Sequence, residues 1–340
     1  MSTLVDDVGS FPLPAHVNRE TFDKAYVKAR QDMAAGRNIT KDEFLLRNFR
    51  DVVVDSFRAK LASGLDVVNY PQHFDMHKQI TDLILQAMEQ GTYVVGEKQA
   101  VIPEVQVINA EARRLSEEVG KRISLRVCVT GALELYLKVV GTAAYSDVLL
   151  MFAETVNRFA KNSVLDNKYV RTEVVSLDEP SLGFREPSAD RAALLDVLEN
   201  AFDFACPTKQ IHLHSPLKTV DVLGVGNLDV VSFEFGASPK NIESLSKSML
   251  ERADKRVRVG IARTDVDAIR AELYDKGVAS PSAEYIVETE ETMRRRFKTA
   301  TDKYGDRLAF AGPDCGLGGW PTQEAAQLLL KRAVNSVKQA

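Results

Sequence analysis

Eight short apolar runs, separated by longer amphipathic segments, predict an α/β chain folded as a (β/α)8 TIM barrel. Three observations carry that prediction. The runs are apolar along most of their length, as expected for strands covered on both faces by helices. The gaps between them are long enough for crossover helices. The chain has 340 residues, 45% of them hydrophobic, which is enough for one large barrel with a real core. A doubly wound open sheet is the competing arrangement. It calls for a glycine fingerprint after an early strand, and Val8-Gly9-Ser10-Phe11-Pro12 does not supply one.

In chain order, the strands are expected at 4–8, 66–69, 123–129, 172–177, 209–214, 228–233, 257–261 and 308–311. Helical patterns occupy 41–63, 76–90, 145–165, 189–205, 238–253, 266–276, 282–304 and 322–340. The whole chain, 1–340, reads as one catalytic barrel domain with two insertions. One, about 11–40, is an extended stretch before the first helix. The other, 91–104, contains Tyr93-Val94-Val95 and Ala100-Val101-Ile102 and reads as a hairpin.

The bulk numbers exclude several classes. A formal net charge of −4, with no long basic run, leaves no electrostatic footprint for nucleic acid. No apolar stretch is long enough to span a membrane, and the first residues lack the charged start and apolar stretch of a secretory signal. Three widely spaced cysteines, Cys128, Cys206 and Cys315, suggest reduced thiols in a cytoplasmic protein.

In such a barrel the chemistry sits at the C-terminal strand ends. Those ends read Gly9-Ser10, Asn69-Tyr70-Pro71-Gln72-His73, Thr130-Gly131, Asp178-Glu179-Pro180, His212-Leu213-His214-Ser215, Glu234, Arg263-Thr264-Asp265 and Asp314-Cys315. His212 and His214, two apart on a strand, face the same way. With Glu234 and Cys315 they form an N, N, O, S donor set that suits one tetrahedral Zn2+ ion. The bland alternatives stay open. They are one core and one solvent histidine, a barrel-mouth ion pair for Glu234, and an inert buried thiol for Cys315. Asp178 and Glu179 offer carboxylates for a substrate ammonium, or a helix cap and a salt bridge. Cys128, inside a strand pattern, reads as packing, and Cys206 as helix-end filler.

Gly9-Ser10-Phe11-Pro12, Leu177-Asp178-Glu179-Pro180-Ser181-Leu182 and Pro313-Asp314-Cys315-Gly316-Leu317 with Trp320-Pro321 resemble the C-terminal catalytic barrel of cobalamin-independent methionine synthase. Ile211-His212-Leu213-His214 and Asp229-Val230-Val231-Ser232-Phe233-Glu234 fall between them in the family's order, so the resemblance spans nearly the whole chain. It implies a zinc methyltransferase that makes methionine from homocysteine. The single barrel resembles the short core forms, for which the resemblance implies a methylcorrinoid or corrinoid protein as donor in place of methyl-folate. His214, Glu234 and Cys315 match three of the family's zinc ligands. The place of the fourth, a cysteine, is Pro216, so His212 is the nearest substitute, or three ligands leave an open position. Asp178 is implied as the amine partner and Gln72 as its assistant, where the family carries a glutamate. Gly9 and Ser10 are implied to hold the carboxylate. The family's proton-donating histidine is missing, and Thr264-Asp265 stands near its place, which makes Asp265 the second catalytic candidate. Two other readings accompany this one: zinc-dependent methylation of another thiol acceptor, and a metal-free paralogue that binds a sulfur amino acid or a corrinoid partner.

Overall fold

A computed structural model describes residues 2–339. All eight expected strands are present: β1 (Leu4–Val5), β2 (Val68–Asn69), β3 (Ile123–Thr130), β4 (Val170–Asp178), β5 (Thr208–Leu213), β6 (Val230–Phe233), β7 (Arg256–Ala262) and β8 (Leu308–Pro313). Every pairing is parallel, in the order β1-β8-β7-β6-β5-β4-β3-β2. The ring closes where Asp66 N and Val67 N donate to Val5 O (2.9 and 3.2 Å) and Asp6 bridges to Val67. Alternating helices cover the outside, so the chain is a single (β/α)8 barrel domain. No helix among the described residues is long and apolar enough to cross a membrane.

Both insertions differ from expectation. The stretch at 11–40 is not an extended lead-in, because it contains the helix Arg19–Ala34. Asn18 caps that helix by accepting from Thr21 N (3.0 Å), and Phe22, Ala25, Tyr26 and Ala29 form its buried stripe. That i, i+3, i+4, i+7 spacing was readable in the sequence. The segment 91–104 holds no strand, so there is no hairpin. It buries Val95, Ala100 and Ile102 as an irregular strap. The helix Pro103–Val119 follows, opened by proline and closed by Gly120 in the left-handed region (φ 68°). The helix Ala132–Val139 is likewise beyond the expected set. The pattern at 282–304 breaks into Ala283–Ile286 and Glu290–Tyr304, because Thr289 leaves helical geometry to cap the second piece. Position 340 of the last expected helix lies outside the described residues. The helix there runs Gln323–Lys338.

Period-two alternation sorts the barrel interior into layers. One is apolar and includes Val67, Val174, Val230 and Phe310. Another is ionic. Asp6 accepts from Arg126 and from Arg258 Nε (2.8 Å), and all three side chains are fully buried. With its amide turned so that the oxygen faces Arg126, Gln210 accepts from both terminal guanidinium nitrogens (2.6 and 2.9 Å). Arg258 also donates to Pro313 O (2.8 Å). At Gly312 a Cβ would overlap the Asp6 backbone carbonyl, so strands β1 and β8 can approach only through glycine. Gly312→Ala is expected to lower stability by roughly 1–3 kcal/mol in chemical denaturation, since the neighbour is backbone and cannot rotate away.

Candidate metal centre at the barrel mouth

The strand register builds the site. Asp178 pairs with His212 across β4 and β5, and His212 with Ser232 across β5 and β6, so these residues lie side by side in one row. Two residues further along, the chain leaves β5 at His214 and β6 at Glu234. Cys315 follows β8. The structure brings together the four residues expected as ligands: donor atoms of His212, His214, Glu234 and Cys315 all lie within 4.8 Å of one another. His214 Nε2 is 3.5 Å from Cys315 Sγ and 3.7 Å from Glu234 Oε1. Around a tetrahedral ion with bonds of about 2.0–2.3 Å, donor atoms stand roughly 3.3–3.8 Å apart. The two measured separations fall in that range.

His212 decides how well the set suits a metal. Its Nδ1 is hydrogen-bonded to Ser232 Oγ (3.1 Å), and its Nε2 is buried with no partner. A buried ring nitrogen without a partner costs free energy unless something binds it. A hydrogen bond on the opposite ring nitrogen is the usual way a histidine ligand is oriented. Ser232→Ala is therefore expected to weaken metal affinity about 10- to 100-fold while leaving all four donors in place, as read by chelator competition.

The electrostatics agree. Burial pushes the Cys315 thiol up to about 12, helped by Glu234, and pushes the Glu234 carboxyl up to about 8, helped by Asp314 and Asp265. Burial also pulls both imidazoles down. Without a cation, every member is driven to its neutral form. A dication reverses that preference for the thiol and the carboxyl. This argues against reading Cys315 and His214 as a nucleophilic thiolate–imidazolium pair, which needs a depressed thiol pKa.

Other expected residues are placed as follows. Asp178 is buried and accepts from Ser176 Oγ (2.8 Å). Burial pushes its carboxyl up to about 6 against the pull of Arg126. Glu179 takes the capping alternative, accepting from Leu133 N (3.0 Å) and Glu134 N (2.7 Å) at the start of the helix Ala132–Val139. Asp265 is held by Arg263, which donates to both its oxygens (3.0 and 2.8 Å). Ser10, Gly9 and Gln72 gather beside the Cys315 turn: Gly318 N donates to Ser10 Oγ (3.0 Å) and Leu317 N to Ser10 O (2.7 Å). Gly9 has φ +61°, and a Cβ there would meet Gln72 Oε1 at 2.7 Å. Cys128 is buried in β3, as expected, and Cys206 is half-buried beyond its helix.

Sequence reasoning missed three supports. Ser232 was visible two residues before Glu234 but had no role until the register placed it beside His212. Asp314 accepts from Phe235 N, Gly236 N and Ala237 N (3.1, 2.8 and 2.6 Å), bracing the loop after Glu234. Asn241 donates to His214 O (3.2 Å) and Glu234 O (2.8 Å), tying two ligand residues together by their backbones. Nothing in the sequence marks Asn241.

No protein-family model matches the chain, and no curated protein matches it. Solved structures similar in shape include the endo-beta-1,4-mannanase from Thermotoga petrophila. It shares 12% identity at a TM-score of 0.43, over 85% of this chain and 74% of that one. The endo-1,4-beta-mannanase from Rhizomucor miehei shares 12% identity at a TM-score of 0.43, over 99% of this chain and 95% of that one. At that level neither likeness bears on what this chain binds or does.

The family expectation is corrected. No family model matches the chain, so membership in cobalamin-independent methionine synthase is not upheld, and the solved structures similar in shape, named as mannanases, are alike in fold alone. Methionine formation from homocysteine, the corrinoid donor, the other thiol acceptor and the paralogue reading are withdrawn with it. The physical reason lies in the motifs themselves. Each is a few residues at a strand end, where any polar barrel mouth collects carboxylates, imidazoles and glycines. The positions that would have been specific are altered to Pro216, Gln72 and Thr264-Asp265.

Proposed function

We propose that the protein is a metal-dependent barrel enzyme built around one zinc ion on His212, His214, Glu234 and Cys315. The observation that carries this reading is the partnerless, buried Nε2 of His212 facing three further donors. Nitrogen, oxygen and sulfur donors in a compact cluster suit zinc better than magnesium or calcium, which prefer all-oxygen sets. Zinc, when bound, supplies Lewis acidity to a small ligand that reaches the mouth.

The chain's own residues do the rest. Ser232 orients His212, and Asn241 and Asp314 hold the strand-end loops that carry His214 and Glu234. Asp178 stands beside His212 in the row. Its buried carboxylate, with proton affinity raised toward neutrality, takes up a proton or hydrogen-bonds the ligand. Ser10, Gly9 and Gln72 form the polar wall on the far end of the Cys315 turn and contact the ligand there. Asp265, held in place by Arg263, acts on the site through its negative charge near Glu234. Free thiols at all three cysteines fit a reducing compartment such as the cytoplasm.

Metal analysis tests the reading. Protein purified without chelator should carry close to one zinc per chain. A cobalt(II)-loaded sample should show a sulfur-to-metal charge-transfer band that disappears in Cys315→Ser. A chain that takes up neither ion is not a metalloenzyme of this kind.

A further inference from the structure

A cavity of about 340 Å³ lies on the flank of the barrel, between the helix Arg19–Ala34, the helix Lys78–Met88 and the strap 91–104. Arg30, Gln31, Leu83, Gln86 and Gln99 line it, together with alanines. It is separate from the mouth. Arg19, at the start of the same helix, donates to His73 O (2.6 Å) in the loop after β2, and Arg30 stands about three turns, roughly 16 Å, further along. None of the lining residues belongs to the metal cluster.

Arg30 sets this cavity apart. Its side chain is 3% exposed, yet no carboxylate pairs with it among the described residues. A guanidinium has five N–H donors. Here Nη1 donates to Gln79 O (2.8 Å), Nε is buried with no partner, and the group makes no other hydrogen bond among the described residues. The Tyr26 ring backs the guanidinium, 5.9 Å from its central carbon. The acids closest along the helix are met elsewhere: Asp23 by Arg19 (3.5 Å), and Asp32 by Lys28 and Arg37 (2.8 Å each). Glu104, the buried carboxyl whose charge reaches Tyr26, accepts from His73 N (2.9 Å). Burial pushes it up to about 8, so near pH 7 it offers no counter-charge.

A buried cation with neither a counter-charge nor a full set of acceptors is costly for the fold alone. This one borders a cavity that holds no acidic side chain. The exposed amides of Gln31, Gln86 and Gln99 make no side-chain hydrogen bond among the described residues, so they are free to meet a polar ligand. The helix ends at Ala34, and its last carbonyls carry partial negative charge, so one negative charge suits the cavity better than two. The volume far exceeds that of a bare ion, so the charge belongs to a molecule with a carbon skeleton.

We propose that this cavity binds a small organic carboxylate. The carboxylate sits on the fork of the Arg30 guanidinium, and hydroxyl or amide groups on its skeleton meet Gln31, Gln86 and Gln99. The site is independent of the metal reading, and loss of that reading leaves the test below standing.

The experiment is calorimetric titration of the chain as purified with gluconate, with its neutral amide gluconamide, and with inorganic phosphate. Gluconate should bind, and gluconamide should bind about 10-fold more weakly or worse, since a charge-assisted contact is exchanged for a neutral one. Arg30→Met should cost gluconate about 10-fold or more. A carboxylate taken up at the mouth would be untouched by that substitution, so the two places are told apart. Without ligand, Arg30→Met should match or exceed the parent in denaturant midpoint, because it removes an unpaired buried charge. An arginine that served only the fold would leave the variant less stable. The exposed Gln86→Ala, Gln99→Ala double variant gives an independent reading and should bind gluconate about 3-fold more weakly. No gluconate binding, equal binding of the amide, a lowered midpoint in Arg30→Met, or unchanged gluconate affinity in either variant overturns the proposal. Phosphate binding as tight as gluconate overturns the carboxylate class.

Discussion

Cys315→Ser is expected to lower zinc affinity about 100- to 1,000-fold. Structural zinc sites of four ligands bind with about 10–16 kcal/mol, or roughly 2.5–4 kcal/mol per ligand, and each 1.4 kcal/mol is tenfold. A serine hydroxyl keeps the shape of the side chain but is a far poorer donor than a thiolate. The same substitution should leave the metal-free fold nearly unchanged. The turn is held by its backbone, through Leu317 N and Gly318 N on Ser10 and through the Asp314 carboxylate on three amides. Sγ itself meets only the His214 ring and the Gly316 backbone amide among the described residues. Chelator competition and thermal unfolding of the metal-free protein, run side by side, separate the two effects. Serine and cysteine proteins of equal zinc affinity would mean that the cluster is not a metal centre. His212→Ala should fall in the same range, because its Nε2 has no other partner to lose.

Asp6→Asn is expected to be the most destabilising single substitution in the barrel interior, at about 3–5 kcal/mol. Asp6 is fully buried between Arg126 and Arg258, neither of which can lose its charge. Asparagine fills the same volume but leaves two guanidiniums without their counter-charge in a region water does not reach. The reverse change, removing one arginine, leaves Asp6 still paired and should cost less. Denaturant midpoints for Asp6→Asn and Arg258→Met check both statements, and an Asp6→Asn protein as stable as the parent would refute the first. The consequence reaches the site. Arg126 also pulls the Asp178 carboxyl down against its burial, and Arg258 occupies the same register row as Ser232. The ionic layer is both a structural brace and the electrostatic floor of the mouth.

The comparison of expectation with structure turns on particular residues. Eight strands were legible because apolar, β-branched runs have few other places to go, and their positions held to within a few residues at each end. The helices Arg19–Ala34, Pro103–Val119 and Ala132–Val139 were not read, although the first carries a regular buried stripe. The 91–104 segment looked like a hairpin because Val and Ile runs favour strands, yet it forms no strand and Pro103 starts a helix. The resemblance to a methyltransferase family rested on short strand-end motifs, and the later comparisons do not uphold it.

By itself the sequence determined the barrel and which residues stand at its strand ends, because period-two alternation and strand–helix spacing are local properties of the chain. It also named His212, His214, Glu234 and Cys315 as a donor set. Only the tertiary structure decided that the four donor atoms meet, because 103 positions of chain, from His212 to Cys315, separate the outermost two and no local rule measures that distance. The fold likewise chose Ser232 as the orienting partner, left His212 Nε2 and Gln72 Nε2 unpaired, and buried Asp6 between two arginines. Each of those facts depends on cross-strand register and burial, which exist only once the ring has closed.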